Sequence, residues 1–382
     1  MRLQFSSTAG TSAMGDQPTS QEFHLPLAQI TQTPLDCSLR YLDFSGDYAR
    51  LGLEYHGAAP FEDTTSCALA PPAREAAAVT APWCVTMLAP AARLAQVQQL
   101  LTFFAGHGWA VSAVDTLAQR RERTVIRFQL DAELEFAAAK HTCLQLAEKL
   151  DVDLVLQPGS SQRVPALAGF DMDSTLIDAE VIDELAKITG IGEQVAAITE
   201  AAMRGELDFR QSFRKRMALL RGFSERRLAE IATQLPLKDG ADKLLGGLRA
   251  LGCKTAILSG GFTYFADYLR RERLPVDFIH ANQLEFEHGA LTGGVIEPIV
   301  DGMRKRELLQ QMAEEQGLEL ERVIAVGDGA NDIPMLNLGA LGIAIHPKPK
   351  VRLEAPQSIE RFGLDAALYL FGLSDQQIEN LI

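Results

Sequence analysis

The chain has 382 residues, 47% hydrophobic and 23% charged, an ordinary globular balance with length for two or three domains. With 36 Lys and Arg against 50 Asp and Glu, the formal net charge is −14, which excludes nucleic acid and anionic membrane surfaces as natural main partners. A small anionic substrate remains compatible, because a few local cations can invert the field of one pocket.

Met1 to Gly15 is small and polar, without the apolar core of a secretory signal. The uncharged run Ala76 to Ala92 is broken by Pro82 and Pro90 and does not read as a membrane span. Five unpatterned cysteines (Cys37, Cys67, Cys84, Cys143, Cys253) read as reduced thiols. The expectation is a cytoplasmic protein. Residues 1–80 have weak periodicity and turn-rich pieces such as Gly57-Ala58-Ala59-Pro60, so an irregular segment is expected, strand-like near Leu39 to Leu42 and Leu51 to Tyr55.

Residues 81–158 change character. Strand patterns at Trp83 to Leu88, Trp109 to Val114, Thr124 to Leu130 and Leu154 to Leu156 alternate with helical ones at Arg93 to Gly106 and Leu134 to Leu150. The order βαββαβ predicts a ferredoxin-like sandwich and resembles an ACT-type regulatory domain. Its first strand-to-helix loop, Ala89-Pro90-Ala91-Ala92, lacks the glycine that amino-acid-binding members of that family use. A packing or dimerisation module, giving a homodimer through this region, therefore stands beside a serine sensor.

A polar linker, Ser160 to Pro165, precedes a domain over 164–382 in which strand and helix signals alternate. The short apolar runs Ala166 to Phe170, Lys254 to Leu258, Arg322 to Val326 and Leu341 to Ile345 predict a buried parallel sheet of Rossmann-like α/β type. A helical insert at about 185–236 comprises Glu193 to Arg204, Asp208 to Leu220 and Ser224 to Leu235, the last stopped by Pro236. His288-Gly289 reads as a hairpin turn between Leu284 to Glu287 and Ala290 to Val295.

Three of the four strands end in chemistry: Asp171-Met172-Asp173-Ser174-Thr175, Ser259-Gly260-Gly261, and Gly327-Asp328-Gly329-Ala330-Asn331-Asp332. In open parallel sheets, ligands bind beyond the carboxyl ends of the strands, so the three segments converge. Asp171 and Asp173 are two apart, and such close carboxylates repel unless a cation or proton intervenes. With Asp328 they offer hard oxygen ligands suited to Mg²⁺, which points to a phosphate substrate. Gly260 and Gly261 let backbone approach that phosphate and open a helix at Phe262 whose N-terminus favours anions. Lys305, 23 residues before Asp328, is the candidate phosphate-holding cation.

Together DxDST, SGG, Lys305 and GDGAND resemble the four motifs of the haloacid-dehalogenase-like (HAD) phosphotransferase superfamily, over about Val164 to Leu370, and within it the phosphoserine phosphatases. The resemblance implies Asp171 as nucleophile forming an aspartyl-phosphate, Asp173 as general acid and base, and Ser259, Gly260 and Lys305 as phosphate ligands. It implies Mg²⁺ held by Asp171, Asp328 and the backbone carbonyl of Asp173, with Asn331 near the substrate and Asp332 supporting the metal's shell. It further implies hydrolysis of O-phospho-L-serine to L-serine and phosphate, the last step of serine biosynthesis.

Phosphoserine also carries an ammonium and a carboxylate. Glu180, nine residues beyond Asp171, is the candidate for the first, and Arg216 for the second. Arg216 lies almost two turns after Phe209, on an apolar helical stripe. The competing assignment for Arg216 is a salt bridge to a cap acid such as Glu200 or Glu206. Met203 and Phe209 match the family's apolar cap contacts or serve as ordinary helix packing. Rival functions are phosphoryl transfer to another acceptor such as homoserine, hydrolysis of a different small phosphate, and a non-catalytic phosphoamino-acid sensor.

Overall fold

The computed structural model describes residues 19–26, 38–45, 48–55, 81–120 and 122–382. They fall into two compact units, one reaching Gln162 and including Gly372–Gln377, the other Arg163–Phe371 with Ile378–Ile382. Among the described residues no helix is long and apolar enough to cross a membrane.

In the first unit, the described residues of the N-terminal segment are strand. Strands β1 (Thr19–Pro26), β2 (Ser38–Ser45) and β3 (Tyr48–Tyr55) form an antiparallel sheet in the order β1-β3-β2. β2 and β3 fall where the sequence is strand-like, whereas β1 has no such signal; the other residues of 1–80 before Ala81 lie outside the described residues. Next come β4 (Trp83–Ala89), α1 (Leu94–Gly106), β5 (Ala110–Arg120), β6 (Arg123–Asp131), α2 (Phe136–Leu150) and β7 (Asp153–Pro158). They form a four-stranded antiparallel sheet in the order β5-β6-β4-β7. Val85, Met87 and Ala89 alternate onto the face that buries Val97, Leu100, Leu101 and Phe104 of α1 and Ala139, Cys143 and Ala147 of α2.

The second unit is a six-stranded parallel sheet built from β8 (Leu167–Phe170), β9 (Lys254–Phe262), β10 (Phe278–Asn282), β13 (Val323–Gly327), β14 (Leu341–Ile345) and β15 (Gln357–Ile359). Its order is β10-β9-β8-β13-β14-β15. The four apolar runs are its centre. The edges β10 and β15 lack a continuous apolar run: His280 and Asn282 interrupt the first, and the second has three residues, two of them polar. Between β8 and β9 lies the helical insert: α3 (Val181–Thr189), α4 (Gly192–Met203), α5 (Phe209–Leu219) and α6 (Glu225–Gln234), before α7 (Ala241–Ala250) returns to the sheet. The insert thus begins about four residues before the expected 185. Asp208 starts α5 through a capping box with Gln211, and α6 ends at Leu235 before Pro236.

Beyond β9 follow α8 (Thr263–Glu272), the hairpin β11 (Phe286–Glu287) and β12 (Ala290–Leu291), and α9 (Gly302–Glu315). The hairpin turns on His288 and Gly289, both at positive φ. The insert is tied down at several points. The Leu291 backbone exchanges hydrogen bonds with Gly222 and Phe223. Arg210 of α5 pairs with Asp301 at 2.7 Å, and Arg214 pairs with Glu297.

Candidate active site

β8 sits between β9 and β13, so the segments after these three strands are neighbours at one end of the sheet. The Asp171 N–H donates to the Val326 carbonyl at 2.9 Å, setting Asp171 beside the end of β13. A cavity of about 400 Å³ opens there. Its lining includes Asp171, Asp173, Glu180, Phe209, Arg216, Gly260, Asp328 and Asn331, which brings together eight of the residues singled out in the sequence.

Lys305, Ser259 and Asp332 lie behind this lining, all 0% exposed. Lys305 Nζ bridges Asp171 Oδ1 and Asp332 Oδ1, each at 2.8 Å. Asp171 Oδ1 also accepts the Met172 N–H at 2.7 Å, so its carboxylate orientation is set before any substrate arrives. Asp332 Oδ2 accepts the N–H groups of Asp328 at 3.2 Å and Gly329 at 3.0 Å. Both Asp332 oxygens are thereby engaged in holding Lys305 and the Asp328 loop. Thr175 Oγ1 donates to Asp328 Oδ1 at 3.1 Å.

Gly260 and Gly261 still belong to β9, and α8 starts at Thr263 rather than at Phe262. The reason is an extra pairing of Asn282 with Phe262, which keeps the backbone extended through the glycines. Both glycines are needed for close approach. A Cβ on Gly261 would lie 2.4 Å from Asp173 Oδ2, and one on Gly260 2.9 Å from Phe209 Cζ. Ser259 Oγ accepts the Gly261 N–H at 2.9 Å, which leaves its own O–H as a donor. Asn282 was missed in the sequence. Its amide donates to the Gly260 carbonyl and accepts the Val300 N–H, both at 2.8 Å, clamping the glycines to the segment before α9.

Charge in the site is unbalanced. Burial, then repulsion from Asp332, holds the Asp171 carboxyl well above the ordinary range despite Lys305. Burial and the charge of Glu180 push Asp173 up to about 7, and burial with Asp332 pushes Asp328 up to about 6. Burial opposes the charge of Lys305, but Asp171 and Asp332 outweigh it and raise its pKa. One buried cation therefore faces several carboxylates. Asp171, Asp328 and Asp332 offer oxygens all within 4.8 Å of one another. This all-oxygen donor set, short of positive charge, fits a hard divalent cation.

Arg216 also lines the cavity; its Nε is buried without a hydrogen-bond partner, and among the described residues Arg216 forms no ion pair. Glu200 and Glu206 pair instead with Arg204, at 3.8 and 2.7 Å. The salt-bridge assignment of Arg216 is thus not realised. Burial lowers its pKa, against the charges of Asp183, Glu180 and Asp173. Phe209 stacks on Phe213 with centroids 6.1 Å apart and faces the cavity. Met203 closes α4, and its side chain lies outside the described residues. Ser212 and Lys348 also line the cavity. Ser212 could have been found as the residue one turn before Arg216; Lys348 carries no sequence signal.

Residues 166–339 match the haloacid dehalogenase-like hydrolase family. A phosphoserine phosphatase of Haemophilus influenzae is 45% identical over 251 residues, 66% of this chain and 74% of that protein. The crystal structure of a probable phosphoserine phosphatase from Vibrio cholerae, unliganded, superposes with TM-score 0.61 at 33% identity, covering 79% of this chain and 90% of that one. A phosphoserine phosphatase solved as a phospho-aspartyl intermediate analogue gives TM-score 0.50 at 35% identity, covering 56% of this chain and all of that one. The motif-bearing loops, their convergence at one sheet end and these similarities together place the chain in the phosphoserine phosphatase family of haloacid dehalogenase-like hydrolases.

Proposed function

We propose that the chain hydrolyses O-phospho-L-serine to L-serine and phosphate with Mg²⁺, the last step of serine biosynthesis. The observation that carries this reading is the shared lining of one cavity. Asp171, Asp173 and Asp328 line it together with Glu180 and Arg216, whose Nε has no hydrogen-bond partner, and these last two offer complements for an ammonium and a carboxylate.

Asp171 attacks phosphorus while the bond to the serine oxygen breaks, and that oxygen takes its proton from Asp173. Water then attacks the phosphorus of the aspartyl-phosphate, giving its proton to the Asp173 carboxylate as the bond to Asp171 breaks. A carboxyl raised to about 7 suits both directions near neutrality. Lys305 and the Ser259 hydroxyl hold phosphate oxygens, with the Gly260 backbone beside them and Asn331 at the cavity edge. Asp171, Asp328 and the Asp173 carbonyl would hold Mg²⁺, with Asp332 behind them; the ion supplies charge neutralisation for the transferring phosphoryl group. Phe209 packs over the bound substrate, and Met203 is assigned to the same apolar contact by its place in the sequence. The solved phospho-aspartyl analogue of a 35% identical relative supports the covalent route.

We read the βαββαβ unit as an ACT-like regulatory or dimerisation module, and the protein as cytoplasmic. A panel of small phosphomonoesters assayed for phosphate release tests the function. Phosphoserine is expected to lead, with activity lost to chelator, restored by Mg²⁺ and not by Ca²⁺. Equal turnover of all substrates would remove the assignment.

A further inference from the structure

Glu180 is the N-cap residue of α3, yet its carboxylate makes no capping hydrogen bond. The Val181 N–H is taken instead by Asp173 Oδ1 at 2.9 Å. The Glu180 side chain turns back to Ser174, whose Oγ donates to Glu180 Oε1 at 2.8 Å. Ser174 does this from left-handed backbone, with φ of 56°, a region unfavourable to a residue with a Cβ. Its own N–H donates to the Ala179 carbonyl at 3.1 Å. Such strain persists where surrounding contacts over-determine it, and here Ser174's own hydrogen bonds run to Ala179 and Glu180.

We propose that Ser174 is a specificity-positioning residue: its hydroxyl holds one oxygen of Glu180 so that the carboxylate is preset for the substrate's ammonium group. This rests on the reading of Glu180 given under Proposed function. Glu180 is otherwise exposed, and a free glutamate would lose its rotamer freedom only on binding substrate, weakening recognition. Because Asp173 and Ser174 are adjacent and grip Val181 and Glu180 respectively, one loop sets the spacing between the acid–base group and the amine receptor. A substrate whose amine reaches Glu180 thereby has its leaving oxygen in register with Asp173.

The test compares kcat/KM for phosphoserine and for phosphoglycolate, which keeps phosphate and carboxylate but lacks the ammonium, in Ser174→Ala, Ser174→Gly and Glu180→Gln. Ser174→Ala is expected to lower the phosphoserine value roughly tenfold through KM, the scale of one hydrogen bond to a charged group, and to leave phosphoglycolate unchanged. Ser174→Gly relieves the backbone strain and is expected to lose the same discrimination, which assigns the effect to the hydroxyl. Equal losses on both substrates, a change in kcat alone, or no change where Glu180→Gln does lose discrimination overturns the positioning role. If Glu180→Gln itself leaves the ratio untouched, the ammonium-receptor reading fails and the proposal falls with it.

Discussion

Asp328→Asn separates what the site needs for chemistry from what the fold would prefer. Asp328 is 9% exposed, and burial with the neighbouring Asp332 charge raises its carboxyl from 3.8 to about 6. At about 1.4 kcal/mol per pH unit, that rise corresponds to about 3 kcal/mol of lost stability once the group is ionised. Because the folded-state value is raised, this stability is present below the unfolded value and disappears as pH climbs through about 6. Asparagine keeps the oxygen that accepts from Thr175 Oγ1 and removes the charge. The metal-free variant should therefore be more stable than the parent at pH 8, by up to about 3 kcal/mol, and lose most of that advantage by pH 4.5. Urea unfolding of both proteins in chelator at the two pH values measures this directly. Mg²⁺ should stabilise the parent more at pH 8 than at pH 4.5 and the variant little, while turnover in Asp328→Asn collapses. A variant equally destabilised at both pH values would refute the electrostatic account of this site.

Asp171→Asn should reduce phosphate release to background with the fold intact by circular dichroism, and beryllium fluoride trapping should map to Asp171 alone; activity above a few per cent would end the covalent mechanism. Arg216→Ala should weaken phosphoserine turnover by about 2–5 kcal/mol and barely affect phosphoethanolamine, which has no carboxylate; equal losses on both would make Arg216 structural. Burial pushes the thiols of Cys84, Cys143 and Cys253 up to about 12, so all three should resist iodoacetamide at pH 8 until the protein is unfolded. Peptide mapping that finds them alkylated in the native state would contradict their burial.

The α/β class of the second unit, and the strand ends that meet at its cavity, are readable in the sequence. Strands buried on both faces must be continuous apolar runs, and Ala166 to Phe170 and its three counterparts stand out for that reason. Chemistry at the carboxyl ends follows from parallel topology, so Asp171, Ser259 and Asp328 were legible together. Strands with weaker apolar demands were not: β10 and β15 are edges without a continuous apolar run, and β1 has no companion pattern in its neighbourhood. Contacts between distant segments left no trace in any local window. Lys305 locked between Asp171 and Asp332 and Asn282 clamping Gly260 are long-range pairings that only the folded chain creates. For Arg216, periodicity placed the guanidinium on the inward stripe but left its partner open. The folded chain answers it: Arg204 takes Glu200 and Glu206, and the half-buried Arg216, its Nε covered and without a hydrogen-bond partner, lines the cavity. Periodicity tells which way a side chain points; only packing settles what it meets there.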